Sequence, residues 1–105
     1  FIVFQGVNWN STAERASLVL PGATHAEKDG TFTNFEGRIQ RFKQAFVPLE
    51  EARADTEILK QLAAKLGHPV SYLDPETIFI EWQGIGYDEI DEYGMMVGSA
   101  PALQA

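Results

Sequence analysis

Val19-Leu20-Pro21-Gly22-Ala23-Thr24-His25-Ala26-Glu27-Lys28-Asp29-Gly30-Thr31-Phe32-Thr33-Asn34-Phe35-Glu36-Gly37-Arg38-Ile39-Gln40-Arg41 is the stretch whose reading decides the fold. The apolar run stops at Pro21, and a short polar helix is expected over His25 to Lys28, capped by Thr24. Asp29-Gly30 closes that turn, with Gly30 expected in the left-handed conformation. Thr31 to Asn34 and Arg38 to Phe42 alternate polar and apolar residues, which predicts two extended segments with Phe32 and Ile39 on buried faces. Phe35-Glu36-Gly37 between them allows a hairpin or a simple reversal. A polar loop is thereby set against the end of a buried strand, the place where ligands or neighbouring domains sit in open α/β sheets.

Upstream, Ile2-Val3-Phe4 and Val7 form a near-continuous apolar run, expected to be a strand buried on both faces. Asn10 or Ser11 can cap roughly one helical turn from Thr12 to Ala16, and Ser17-Leu18-Val19-Leu20 returns as a second strand. Strand, short helix and strand in this order form a βαβ element of a doubly wound sheet.

Downstream, Ile58, Leu59, Leu62, Ala63 and Leu66 make one apolar stripe on a helix predicted over 55–66. Asp55 is its expected N-cap, Gly67 its terminator, and Pro69 forbids continuation. If the stripe is buried at about 1.5–3 kcal/mol per large side chain, Leu62→Asp should unfold or detach the helix. Asp74-Pro75 predicts a second helix running to about Gln83, broken at Gly84-Ile85-Gly86, with one more turn within Tyr87 to Tyr93. Gly94 to Ala105 carries no charge and is expected to fray or to pack on a neighbour.

With 105 residues and 45% apolar content, the chain fits one small folded unit. No apolar run approaches the ~20 residues of a membrane-spanning helix. Phe1 opens inside an apolar run, which suggests a piece of a longer polypeptide. The absence of cysteine excludes a disulfide framework and any cysteine-ligated cluster or structural zinc within this segment. Net charge is −7, and Lys and Arg are confined to the span from Arg15 to Lys65. The part beyond Gly67 is purely acidic, through Asp74, Glu76, Glu81, Asp88, Glu89, Asp91 and Glu92. That distribution argues against nucleic-acid binding, which needs clustered positive charge.

Signals for chemistry are sparse. His25 and His68 lack partners at a metal-ligand spacing, and no serine sits in a nucleophile elbow. Gly84-Ile85-Gly86 follows a helix rather than a strand and is no dinucleotide fingerprint. Neither a catalytic residue nor a metal ligand is assigned.

The run Ala16 to Pro21, Ala26-Glu27-Lys28-Asp29-Gly30-Thr31-Phe32, Asn34, Glu36-Gly37-Arg38 and Gln40 resembles the molybdopterin oxidoreductase superfamily. Glu51-Ala52-Arg53-Ala54-Asp55 and Glu57-Ile58-Leu59 extend the likeness, which is good over 3–67 and weak beyond. Within the superfamily the chain looks most like the large iron–sulfur subunit of bacterial NADH–quinone oxidoreductase, respiratory complex I. The resemblance implies an α/β fragment of a doubly wound domain, with a family-like part at 1–67 and an acidic, mostly helical tail at 68–105.

On that resemblance the segment would be scaffold in a parent that passes electrons from NADH through iron–sulfur clusters to quinone. Its expected partners are other peripheral-arm subunits, and its expected location is cytoplasmic, at the face of the inner membrane. The alternative implied by the same resemblance is a segment of a molybdenum enzyme such as a formate dehydrogenase, holding molybdopterin guanine dinucleotide. Carried over by position, Thr31, Thr33, Asn34, Glu36 and Gln40 would then supply hydrogen bonds, and Arg38 would meet a phosphate. A third possibility is a freestanding interaction module. The sequence departs from the family pattern at Ser17, Phe35 and Thr56, where aspartate, a small polar residue and tryptophan are usual. Phe35 places bulk in the polar loop, which favours scaffold over cofactor contact. The isolated chain is expected to self-associate through Phe1, Val3 and Met95-Met96-Val97.

Overall fold

A computed structural model describes residues 1–71 and 74–97. Strand β1 (Val3–Gly6), helix α1 (Ser11–Arg15) and strand β2 (Leu18–Pro21) form the expected right-order βαβ unit. β1 and β2 pair in parallel, Val3 opposite Leu18 and Gly6 opposite Pro21. Asn10 caps α1: its side-chain oxygen accepts from the Thr12 and Ala13 N–H groups, both at 3.0 Å. That satisfies two of the donors a helix start leaves without partners.

β1 is not buried on both faces. Phe1, Ile2, Val3 and Val7 are exposed, because the parallel pair stands alone and only Ala13 of α1 is buried near it. Apolar sequence here marks a surface that has no covering layer among the described residues.

β3 (Gly30–Thr33) and β4 (Arg38–Phe42) form an antiparallel hairpin. Its turn is closed by the Gly37 N–H donating to the Asn34 carbonyl at 3.0 Å, and Gly37 takes the left-handed conformation at φ +83°. Gly30 does not. It is needed because a Cβ there would lie 2.7 Å from the Phe42 ring. Ile39 is 1% exposed as expected, but Phe32 is 57% exposed, on the opposite, uncovered face of the hairpin.

α2 (Asp55–Lys65) begins one residue earlier than a cap at Asp55 requires: Ala54 occupies the N-cap and makes no side-chain bond. The Asp55 carboxylate is drawn away to other partners. Of the apolar stripe only Ile58 is buried, while Leu59, Leu62 and Leu66 are exposed, so the stripe is largely uncovered among the described residues. α3 (Pro75–Gln83) starts as expected, with Asp74 accepting from the Thr77 N–H at 3.0 Å, and ends at left-handed Gly84.

The acidic tail does more than solvate. Phe79 of α3 and Tyr87 and Ile90 of the following 3-10 turn region pack on Ile39, with Ile85 and Val97 at the margin. Met95–Met96, expected to fray or dock elsewhere, forms β5 against β4, with Ile39 opposite Met95. The rest of that uncharged segment, 98–105, lies outside the described residues. Arg41 also lies over the Tyr87 ring, 4.5 Å from its centroid, a cation–π contact tying β4 to the tail.

Candidate functional site

β1 and β2 end side by side, and the chain beyond them is held there by backbone bonds. Gly22 N–H donates to the Gly6 carbonyl at 2.9 Å. Residue 53 then runs beside this extension: Arg53 N–H donates to Pro21 O at 3.1 Å, and Ala23 N–H to Arg53 O at 2.8 Å. The start of α2 is thereby delivered to the carboxyl ends of the parallel strands. There Asp55 accepts from the Gln5 amide at 2.7 Å and forms an ion pair with Lys28. Three segments far apart in sequence thus meet at one carboxylate. Burial pushes the Asp55 pKa up, but the hydrogen bonds from Lys28 and Gln5 and the Lys28 charge outweigh it and hold it below the ordinary value.

The 3-10 turn His25–Glu27 is fixed by a second carboxylate. Glu27 accepts from the N–H groups of Thr24 at 2.8 Å and Leu49 at 3.1 Å. The Thr24 bond is the main cause that lowers its pKa, with burial opposing it. Gln44 N–H donates to Asp29 at 2.8 Å, and Ala45 and Phe46 N–H both donate to Ala26 O. These contacts stitch the segment after β4 to the turn before β3.

Between β3, this turn and the start of α2 lies an open cleft of about 970 Å³. Its aromatic wall is Phe32 stacked on Phe42, centroids 4.6 Å apart and planes 24° apart, with His25 edge-on to Phe32 at 6.3 Å. Thr31 lies on its rim along β3, the outer strand of its sheet. Asn34 N–H bonds the Arg38 carbonyl, so by antiparallel alternation the Thr31 N–H and C=O point away from β4, toward the free edge.

The residues carried over by position do not form one constellation. Thr31 lines the cleft, and Thr33 shares its face of β3; Gln40 and Arg38 lie on the other face of the hairpin. Asn34 is engaged in the turn, its side-chain oxygen accepting from Glu36 N–H at 3.0 Å and Arg38 N–H at 2.9 Å. Arg38 donates to the Tyr93 carbonyl at 3.2 Å, and Glu36 is exposed. The sequence reading missed the Gln5–Lys28–Asp55 junction and the Phe32–Phe42 wall, since neither leaves a short-range pattern. Both histidines are exposed. Among the described residues no three His, Cys, Asp or Glu side chains gather as a metal site, and no helix is long and apolar enough to cross a membrane.

Residues 1–65, which supply nearly all of this cleft, match the family described as molybdopterin oxidoreductase. The chain belongs to the molybdopterin oxidoreductase family. It is 39% identical over 103 residues to the Bacillus subtilis protein named "Probable oxidoreductase YjgC", an alignment covering 91% of this chain and 10% of the relative. Two Staphylococcus aureus proteins, each named "Putative formate dehydrogenase", are 38% and 37% identical over the same 91% of this chain and 10% of their own length. The chain therefore spans about a tenth of the length of the curated relatives it matches. The likeness, expected to weaken past residue 67, continues through most of the tail.

The family implies a molybdopterin cofactor, and the cleft can be tested against one. Its volume falls in the range of small-molecule sites, its aromatic wall suits a planar ring, and the β3 edge offers an outward N–H and C=O. The residues fit the organic part of such a group; with no cysteine in the chain, no thiolate here reaches a metal.

Proposed function

We propose that this chain is a cofactor-holding segment of a molybdenum oxidoreductase of the formate dehydrogenase kind, with part of a molybdopterin guanine dinucleotide seated in the cleft. The observation that carries this reading is the cleft itself, built at the strand ends almost wholly from residues within the matched stretch. The names of the relatives point in the same direction. When bound, the group supplies the redox chemistry; the residues of this chain bind and orient it. Thr31 is the foremost hydrogen-bonding candidate, with Thr33 beside it, whereas Asn34 and Arg38 hold the hairpin in shape. Glu36 and Gln40 stay available at the surface. No residue of the chain is assigned a catalytic role.

The second reading, a scaffold segment of the complex I large subunit beside other peripheral-arm subunits, is favoured by the engagement of Asn34 and Arg38 within the fold. Molybdenum and iron analysis of the intact protein separates the two. Stoichiometric molybdenum is the expected result. Iron without molybdenum, together with NADH oxidation, would overturn it in favour of the scaffold.

The bare strip of Phe1, Ile2, Val3, Leu18 and Leu62 is the contact surface we assign to the rest of the polypeptide. The isolated chain should accordingly self-associate through Phe1 and Val3, with Met96 also exposed, whereas Met95 and Val97 are half buried. A monomer mass by light scattering at high concentration would contradict this.

A further inference from the structure

α3 is apolar on more than the side it buries. Successive residues lie about 100° apart around a helix. Phe79, turned onto Ile39, therefore has Ile80 about 100° to one side and Trp82 about 60° to the other, with Glu81 nearly opposite. Phe79 is buried, whereas Ile80 is 45% and Trp82 76% exposed. One apolar stripe is enough to cover the hairpin; apolar side chains left bare on both flanks mark a second contact. Tyr93, beyond the 3-10 turn, is 73% exposed as well.

The charge around this face has one sign, since no Lys or Arg follows Lys65. Asp74, Glu89 and Asp91 are tied to the N–H groups of Thr77, Gly86 and Tyr93 at 3.0, 3.1 and 2.8 Å. Glu76, Glu81, Asp88 and Glu92 have no ion-pair partner among the described residues. β4 brings two arginines to the tail, but Arg38 donates to the Tyr93 carbonyl and Arg41 lies over the Tyr87 ring. Packing these carboxylates permanently into a protein interior would leave desolvated charge uncompensated. The strip of Phe1, Ile2, Val3, Leu18 and Leu62 carries no charge and suits a permanent contact within one polypeptide. Bare apolar and aromatic side chains among free carboxylates suit a separable partner steered by opposite charge.

We propose that the outer face of α3, with Ile80 and Trp82 on its flanks and Glu81 between them, is a docking surface for a separate protein that presents an apolar stripe edged by lysine and arginine. Trp82 is the anchor, its indole open to apolar and cation–π contact. Glu81 and the acids that follow select the sign of the partner. Docking here does not depend on which group the cleft takes.

Two measurements on the intact polypeptide test this. Hydroxyl-radical footprinting should find Trp82 reactive in dilute protein. Protection in dilute solution would give the face to the protein's own chain, and protection appearing only on concentration would give it to a second copy; either result overturns the proposal. The protein is then titrated with labelled amphipathic helical peptides of leucine with lysine, with serine or with glutamate, followed by fluorescence anisotropy. The lysine peptide should bind, the serine peptide more weakly, and the glutamate peptide not at all. Trp82→Ser should weaken the lysine peptide by about tenfold or more. Trp82→Phe should keep most of the binding, which separates a lost anchor from a lost fold. Glu81→Gln should weaken it by about threefold and lessen its salt dependence. Leu62→Ser, on the uncharged strip, should change nothing. Equal binding by the unaltered and Trp82→Ser proteins, tighter binding of the glutamate peptide, or no binding of the lysine peptide overturns the proposal.

Discussion

On β4, Ile39 is 1% exposed beneath Phe79, Tyr87 and Ile90, whereas Val3 and Leu18, paired across β1 and β2, stand 49% and 44% exposed. Both regions carry similar apolar side chains in extended backbone. The difference is the opposing layer: the hairpin is covered by α3 and the turn after it and extended by β5, while among the described residues β2 and the α2 stripe face each other only across an open groove lined by Leu18, Leu20, Ile58 and Leu62. Hydrophobic pattern identifies which face wants cover, and only the neighbouring element decides whether it gets it. The tail, which composition marks as a solvated acidic stretch, supplies Phe79, Tyr87 and Ile90 to the buried cluster around Ile39.

Four substitutions would break or sharpen that contrast. Phe79→Ala removes a whole buried aromatic ring from the covered core and should cost about 3–5 kcal/mol in denaturant unfolding. A loss under about 1 kcal/mol would mean that the covered half is no better packed than the bare one.

Gly94→Ala comes next. Gly94 sits at φ +84°, and a Cβ would lie 2.5 Å from the Ile39 carbonyl, so β5 cannot keep its register. The expected loss is about 1–3 kcal/mol, with faster amide exchange at Met95–Met96. Unchanged exchange there would show that β5 contributes nothing to the cover.

Leu62→Asp, which the helical stripe alone predicts to be ruinous, should cost about 1 kcal/mol or less in this chain, because Leu62 is 43% exposed. A large loss in thermal melting would place the stripe against something within the chain.

The smallest effect concerns Asp55. Its folded pKa lies below the ordinary value of 3.8, so the ion pair contributes fully above that value and the contribution is lost as pH falls through the lower folded value. Both partners are partly exposed, so Asp55→Asn should cost only about 0.5 kcal/mol near neutrality and nothing in strong acid. A penalty that persists unchanged at low pH would assign Asp55 a packing role instead.

Local chemistry made much of this fold legible. Asn10 as a cap, Asp74-Pro75 as a helix start, left-handed Gly67 and Gly84 as helix stops and the turn before Arg38 are each set by residues within a few positions of one another. What escaped depends on distant partners. Asp55 looks like a cap because it precedes an apolar stripe, but its carboxylate is claimed by residues 27 and 50 positions away. Alternation put both Phe32 and Ile39 on buried faces, yet nothing in the residues says that the tail covers only the face of Ile39 and leaves Phe32 exposed. Gly30 was legible as a constrained position, although the constraint is the Phe42 ring rather than backbone sign. Two methionines carry no strand signal of their own. The candidate site was half visible: Thr31 could be named, while the aromatic wall and the acidic rim exist only once β3, the preceding turn and α2 converge.

The most direct test of the account is amide hydrogen exchange of the intact protein, with its cofactor and after the cofactor is stripped. Bound cofactor should slow exchange at Thr31 and in the Thr24 to Asp29 turn, and leave the Ile39–Phe79 core unchanged. Identical exchange at Thr31 and that turn in both states would contradict a cofactor seated in this cleft.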